Sequence, residues 1–307
     1  MPNLQYPRFL IAGAPGRHGA TSNHAARQLL AMGLPVRVLV RHADDRSDEL
    51  NQLGAEIVIG DLRDYPSMLA ALNGVQSAYF TYPLAEGLLE ATAIFAAAAK
   101  HTGLQSMVNM SQITARADHP SPAARQHWLA ERVLDWSGIG VTHIRPPFFL
   151  ENLTSLGAET IRVEGKFFLP YGEGRHAPIA GEDCARVAVG ILTNSAAHQG
   201  KIYIPTGPAS LSMADVAGVF TDVLGRSVEY VDIPVGHWRQ ALSDLPEMTP
   251  YLIEHLSCVA VAHQQGEMDV VTDVVETIGG AKPMTVADFV AANRVALTSD
   301  VGTKVTA

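Results

Sequence analysis

The chain has 307 residues, of which 47% are hydrophobic and 17% charged, and its formal net charge at pH 7 is −9. This composition is typical of a globular protein with material for one large domain, alone or with a smaller appendage. The acidic balance argues against a nucleic-acid partner.

The two cysteines and the lengths of the apolar runs indicate in which cellular environment we expect the protein. Cys184 and Cys258 lie far apart, so we expect neither a disulfide framework nor a metal site from them, but two buried small hydrophobic residues. Residues 1–8 contain no apolar signal core, and the longest apolar run, residues 91–99, is too short to cross a bilayer. We therefore expect a soluble, cytoplasmic protein with no membrane partner.

The first element in the chain is an apolar strand over residues 9–12, followed by glycines spaced G-x-x-G-x-x-G and by a helix-forming segment over residues 21–32. Glycine lacks Cβ, so such a turn can be tight and its backbone can approach a pyrophosphate, which the N-terminus of the helix then faces. This order predicts the nucleotide-binding corner of a Rossmann unit. Its cofactor-binding residues are Gly13, Pro15, Gly16, Arg17, His18 and Gly19.

Further strands and helices alternate about every 20 to 25 residues, which predicts right-handed crossovers and a parallel sheet. Strands are predicted at residues 35–41, 56–59, 77–80, 106–110 and 141–145, and helices at residues 65–72, 85–100 and 123–136. The fold class is therefore α/β, a Rossmann-type doubly wound sheet.

The alternation weakens after about residue 150. We predict a loop or short hairpin over residues 166–176, helices over 183–192 and 212–224, strands over 201–204 and 228–233, and mostly helix over 236–297. Residues 1–150 would form the dinucleotide-binding domain. Residues 151–307 would share strands with the sheet and form a smaller α/β substrate lobe, with substrate held in a cleft.

The residue at the end of the second strand indicates which dinucleotide binds. Enzymes that prefer NAD place an acid there, whereas this chain has Arg41, which suits the 2′-phosphate of NADP(H), and Arg17 can reach the same group. Asp44 and Asp45 follow and could still serve a ribose. NADP(H) is therefore expected in preference to NAD(H).

Other cofactor contacts are expected where the strands end, because ligands bind at the carboxyl edge of such a sheet. Asp61 and Leu62 follow the third strand and would touch the adenine, although Asp61 is equally typical of a helix cap or turn. The remaining candidates follow the fourth, fifth and sixth strands: Thr81, Tyr82, Pro83, Ser111, Pro147 and Phe148.

Several of these motifs occur together in one known family. They are Gly13-x-x-Gly16-x-x-Gly19, Leu39-Val40-Arg41, Gly60-Asp61-Leu62, His127-x-x-x-Glu131, residues 145–152 (RPPFFLEN), Gly200-Lys201-Ile202-Tyr203 and Thr206-Gly207-Pro208. The combination resembles the NmrA-like branch of the atypical short-chain dehydrogenase/reductases, and within it the NAD(P)H:quinone oxidoreductases and triphenylmethane reductases. This resemblance implies a Rossmann domain, NADPH and a small C-terminal substrate lobe. Pro15 departs from the family, which usually carries threonine there.

The chain lacks the Tyr-x-x-x-Lys pair with which ordinary short-chain dehydrogenases deliver a proton. The matching helix carries His127 and Glu131, whose spacing places them on one helix face. Either His127 faces the nicotinamide or substrate as a donor, or the two residues form a surface His–Glu pair. Tyr82 is the third candidate for a catalytic role.

The absence of a positioned acid favours acceptors that take hydride readily. We therefore predict an NADPH-dependent oxidoreductase that transfers hydride to a quinone-like or other conjugated small molecule, with no metal site. The predicted substrate-binding residues are Phe149, Tyr171, His176 and Trp238. An NAD(P)-binding redox-sensing regulator that binds a protein partner without turnover remains an alternative, as does, more weakly, an isomerase or reductase of one dedicated metabolite. A homodimer is also compatible with the sequence.

Overall fold

The computed structural model describes residues 9–13 and 21–298. Most of the predicted glycine corner, namely Pro15, Gly16, Arg17, His18 and Gly19, lies outside the described residues. The strands are β1 (Phe9–Ala12), β2 (Val36–Val40), β3 (Glu56–Ile59), β4 (Ser77–Phe80), β5 (Ser106–Met110), β6 (Gly140–Ile144), β7 (Lys166–Leu169), β8 (Arg175–His176), β9 (Ile202–Tyr203), β10 (Leu211–Ser212) and β11 (Glu229–Asp232).

Helices connect and cover these strands. They are α1 (Thr21–Ala31), α2 (Asp45–Gln52), α3 (Tyr65–Leu72), α4 (Leu88–Thr102), α5 (Pro122–Trp136), α6 (Glu151–Glu164), α7 (Gly181–Thr193), α8 (Met213–Leu224), α9 (Val235–Ser243), α10 (Pro250–Gln264), α11 (Val274–Thr277), α12 (Val286–Ala292) and α13 (Arg294–Thr298). A 3₁₀ turn covers Ser195–Ala197. No helix in the part of the chain that the structure describes combines the length and apolarity needed to span a membrane.

The central sheet has seven parallel strands in the order β3-β2-β1-β4-β5-β6-β9. All four residues of β1 are buried, as expected for a strand covered on both faces. Side chains alternate across the sheet, so Ile11 packs with α1 and α7 on one face, and Leu10 packs with α3 and α4 on the other. The predicted Rossmann-type α/β fold is confirmed.

The described residues form a hydrophobic core on each face of the central sheet and a third one beside it, and the second half of the chain contributes to two of these three. Strand β9 pairs with β6 at the edge of the central sheet, and α7 packs against α1 in the core on one face of that sheet. A third core gathers apolar residues between Phe148 and Leu297, chiefly from α6, α8, α10 and α12. The division into domains at residue 150 stays a prediction.

The predicted loop or hairpin over residues 166–176 is wrong, since its two strands pair with later segments of the chain. Strand β7 pairs in parallel with β11, and β8 pairs in antiparallel with β10. Cys184 is buried as expected, whereas Cys258 is partly exposed.

Candidate functional site

Two neighbouring cavities open at the carboxyl edge of the central sheet, and they share Gly13, Tyr82 and Pro83. One, of about 210 Å³, is here called the polar cavity, and its other lining residues are Leu39, Arg41, His42, Asp44, Arg46, Gly60, Asp61, Leu62 and Arg63. The second, of about 270 Å³, is called the apolar cavity. Its walls include Ser111, His127, Pro147, Phe148, Phe149, Tyr171, Met248, Leu252, His255, Leu256, Val259 and Met268. Together they form one continuous candidate site.

Gly13 lies where the two cavities meet, and its backbone has a φ of +95°. A Cβ at this position would overlap the backbone oxygen and hydroxyl of Thr81, which follows β4. Thr81 is fixed there because its N–H donates to Ala12 at 3.1 Å and its hydroxyl lies 3.1 Å from that of Ser22 at the start of α1. Glycine is therefore required at position 13 both by conformation and by space.

The polar cavity gathers the charged residues that follow β2 and β3. Arg41 is exposed, and Asp61 accepts a hydrogen bond from the backbone N–H of Arg63 at 2.8 Å. Asp44 caps α2, because its carboxylate accepts the backbone N–H of Ser47 at 3.0 Å. The capping role of Asp44 weighs against a contact between this residue and a ribose. The hydrogen bond of Asp61 is the one expected of a turn residue, which is the alternative to a contact with adenine.

The apolar cavity contains two buried polar atoms with no hydrogen-bond partner among the described residues, namely Oγ of Ser111 and Nε2 of Gln112. Ser111 is held at the end of β5 by a 2.8 Å bond from its N–H to the carbonyl of Ile144. Phe149 pairs with Ile179 in an isolated bridge. Because buried polar groups are normally satisfied, the orphaned Ser111 hydroxyl indicates a ligand at this place.

His127 lines the apolar cavity from α5 and is 7% exposed. Burial lowers its pKa to about 4, although the nearby Glu131 carboxylate acts in the opposite direction. The ring is therefore neutral at pH 7, where it can donate or accept a hydrogen bond but holds no proton to release as an acid.

Glu131 does not line either cavity, and its side chain is fully buried. Arg145, just beyond β6, binds it through two bonds, Nε to Oε1 at 2.8 Å and Nη2 to Oε2 at 2.5 Å, and Arg132 lies 3.5 Å away. Such a bidentate pair neutralises a buried carboxylate. The structure thus gives Glu131 a role in packing α5 against the end of β6, and its predicted catalytic role finds no support in the geometry.

Tyr82 lines both cavities, but its hydroxyl donates to the backbone oxygen of Glu86 at 3.1 Å. Burial, the largest cause, raises the pKa of this phenol. Proton delivery from Tyr82 would therefore require that this hydrogen bond be broken, and the phenol acts in this structure as a wall between the cavities.

Of the four predicted substrate-binding residues, Phe149 and Tyr171 line the apolar cavity, whereas His176 and Trp238 do not. Trp238 packs edge-on against Tyr171, with 6.4 Å between ring centroids. His176 is fully buried between Phe148 and His263. His176 and Trp238 therefore pack behind the lining residues Phe148 and Tyr171. The prediction that they contact substrate directly is wrong for the cavity in this structure.

Sequence reasoning missed α10 as a wall of the site. This helix lines the apolar cavity with Leu252, His255, Leu256 and Val259, and it packs against α5, which carries His127. Its apolar residues gave a helical signal, but nothing in the sequence indicated which helix of the second half would meet α5.

The described residues that line the apolar cavity carry no charge. No aspartate, glutamate, lysine or arginine among residues 9–13 and 21–298 contributes to it. The same ranges contain no group of histidine, cysteine, aspartate and glutamate that could hold a metal ion. The cavity is therefore suited to an uncharged, largely apolar molecule that is oriented by a few hydrogen bonds.

Comparison with known proteins identifies the family. The model of the NmrA-like family matches residues 7–290. The NAD(P)H azoreductase of Xenophilus azovorans is 33% identical over 292 residues, which cover 94% of this chain and 98% of that protein.

The solved structures that share the fold include the following two. The NADPH-dependent quinone oxidoreductase QOR2 of Escherichia coli, complexed with NADPH, has a TM-score of 0.81 at 22% identity and covers 92% of this chain and 99% of its own. The Citrobacter sp. triphenylmethane reductase complexed with NADP(H) has a TM-score of 0.77 at 19% identity, with the same coverage of both chains. The prediction of an oxidoreductase is confirmed at this general level. With the family model, the azoreductase relative and the sheet topology in agreement, the chain belongs to the NmrA-like family.

Proposed function

We propose that the protein is an NAD(P)H-dependent reductase of uncharged conjugated acceptors, such as quinones and neutral azo compounds. The observation that carries this proposal is the apolar cavity, whose lining among the described residues contains Ser111 at the sheet edge and no charged side chain. The named activities of the azoreductase relative and of the quinone oxidoreductase with this fold support the same class of acceptor.

The residues at the sheet edge fit a dinucleotide. Gly13, where the two cavities meet, lets the backbone pass close to Thr81, and the orphaned Ser111 hydroxyl could bind the nicotinamide half, beside Pro147 and Phe149. Leu62 and Asp61 would border the adenine, and Thr81, Tyr82 and Pro83 would line the passage between the two cavities. When bound, NAD(P)H supplies the hydride. Phe148, also expected to contact the cofactor, lines the apolar cavity as well.

The state of His127 supports acceptors that need little acid assistance. Its lowered pKa leaves the ring neutral at physiological pH, and no tyrosine–lysine pair is present. A quinone or azo group accepts hydride into a delocalised system, so the protein needs chiefly to position the acceptor and to exclude water.

A single-turnover experiment tests this proposal. The protein is loaded with NADPH and mixed with 2-methyl-1,4-naphthoquinone or 4-(dimethylamino)azobenzene, and the reduced-nicotinamide absorbance is followed. We expect oxidation that depends on the protein and is suppressed by excess NADP⁺, with a protein-free mixture as the control. If the protein binds NADPH tightly but neither acceptor oxidises the bound NADPH, the proposal is contradicted and the alternative of a redox-sensing regulator is favoured.

The uncharged cavity also predicts discrimination between matched dyes. Adding a 4′-sulfonate to 4-(dimethylamino)azobenzene should lower kcat/KM by about tenfold or more, because a buried charge without a partner costs several kcal/mol. Steady-state rates with the two dyes measure this ratio. Equal values of kcat/KM would show that the sulfonated ring of the dye lies outside the apolar cavity.

We further propose that Arg41 selects NADP(H) over NAD(H). Arg41→Ala should weaken NADPH binding by about 10- to 100-fold, because it removes a charge-assisted contact to the 2′-phosphate, and should change NADH affinity by less than about threefold. Titration of each nucleotide by fluorescence measures both affinities. Arg239→Ala, outside both cavities, is the control, and equal losses for the two nucleotides would exclude this role for Arg41.

A further inference from the structure

A second histidine lines the apolar cavity, from helix α10. His255 lies on α10, is 5% exposed and lines the cavity together with His127 of α5. The neighbouring cavity residues of α10, Leu252 and Leu256, are apolar. The ring of His255 is therefore the polar feature of an otherwise hydrophobic wall.

Ser121 fixes both the orientation and the tautomer of His255. Its Oγ lies 2.8 Å from Nδ1 of His255 and accepts the backbone N–H of Ala124 at 3.3 Å, as the N-cap of α5. Ser121 is fully buried, so its hydroxyl hydrogen needs an acceptor, and Nδ1 of His255 is the one that the described residues provide. With Nδ1 accepting, the ring hydrogen is on Nε2.

The Nε2–H group of His255 has no protein acceptor among the described residues. Burial, followed by the neighbouring His127 and His119 rings, lowers the pKa of His255 to about 3, so the ring is neutral at pH 7. A neutral, fixed N–H donor in an apolar cavity stabilises negative charge that develops on a bound molecule, without surrendering its own proton.

We propose that His255 is a further catalytic residue, which donates a hydrogen bond from Nε2 to the atom of the acceptor that gains an electron pair, and that Ser121 is its positioning residue. The inference rests on the proposed reductase function. For an azo acceptor, hydride forms an N–H bond at one nitrogen, and the π bond of N=N opens toward the other. That second nitrogen, held by His255, takes a proton from water. NAD(P)H is oxidised, and the azo compound is reduced to the hydrazo compound.

Kinetics of variants test the role of His255 directly. His255→Leu should lower the single-turnover rate with 4-(dimethylamino)azobenzene by about 100-fold or more, as expected for loss of a fixed donor, and should change the acceptor Kd by less than about threefold. Ser121→Ala should lower the rate by a smaller factor, about tenfold, and Ser121→Thr should restore most of it. Ser257→Ala, which removes a buried hydroxyl on α10 that does not line the cavity, is the matched control with an unchanged rate.

A measurement without turnover separates this inference from the proposed function. The carbonyl stretch of 2-methyl-1,4-naphthoquinone, bound beside NADP⁺, should shift to lower frequency in the wild type and not in His255→Leu. If the wild type oxidises NADPH and His255→Leu retains a rate within threefold, His255 is only a wall and the inference fails. If the wild type shows the shift but no oxidation, the donor contact stands and the reductase function fails. Identical carbonyl spectra for both proteins would overturn the contact itself.

Discussion

Arg145→Met is expected to lower the free energy of unfolding by about 3–5 kcal/mol, because it leaves the fully buried Glu131 carboxylate without its bidentate partner. Arg132, 3.5 Å away and 28% exposed, cannot replace two aligned hydrogen bonds. Urea unfolding followed by circular dichroism measures the loss in the first cooperative transition.

Two variants make this prediction specific. Glu131→Leu combined with Arg145→Met should recover much of the lost stability, because the double change removes both charges together. Arg132→Met is the matched control, with a loss below about 1 kcal/mol expected for its exposed pairing. If Arg145→Met lowers the free energy of unfolding by less than about 1 kcal/mol but abolishes NADPH oxidation, the prediction is contradicted and a catalytic role for Glu131 is supported.

Stability should also fall steeply when the pH decreases from 6.5 toward 4. Burial is the main cause that lowers the pKa of His127 and His263 to about 4 and of His255 to about 3, and it lowers the pKa of His176 in the same direction. In the unfolded chain each of these histidines titrates near 6.5.

The direction in which stability changes with pH follows from the protons bound by the folded and unfolded chains. Between about pH 4 and 6.5 the unfolded chain binds protons on these rings that the folded protein does not, so the free energy of unfolding rises with pH. Each such histidine contributes up to about 1.4 kcal/mol per pH unit within this window and nothing further above pH 7.

Unfolding midpoints at pH 7.5 and 5.5 test the prediction. The free energy of unfolding at pH 7.5 should exceed that at pH 5.5, and His263→Met should reduce this difference by about 1.4 kcal/mol. The variant removes one ring that is neutral when folded and charged when unfolded. His237→Gln, at an exposed position of α9, should leave the difference unchanged. A midpoint that is independent of pH from 7.5 to 5.5 would show that these rings are hydrated and protonated in the folded protein.

The sheet edge was predictable because it depends on local patterns. Thr81, Ser111 and Pro147 each follow an apolar strand, and parallel strands bring their carboxyl ends together whatever the details of packing. The glycine spacing likewise predicts a tight turn at Gly13, where the backbone has a positive φ.

The substrate wall was not predictable in the same way, because it is assembled from contacts that are distant in sequence. The sequence pattern predicts His176 in a loop beside the substrate, but β8 pairs with β10 and the ring is buried in the core. Helix α6 escaped prediction since Leu150 provides no side-chain cap at its start. His127 and Glu131 do share a helix, yet Arg145 from beyond β6 determines what Glu131 does.

The return of β9 and α7 to the central sheet has a consequence for how the protein can be divided. A fragment that ended at residue 150 would leave β6 as an open edge strand and uncover the sheet face on which Val187 and Ile191 now pack. Bare edges and apolar faces of this kind promote self-association. The two halves of the chain therefore share one core, and we expect a fragment of residues 1–150 to self-associate rather than to fold alone.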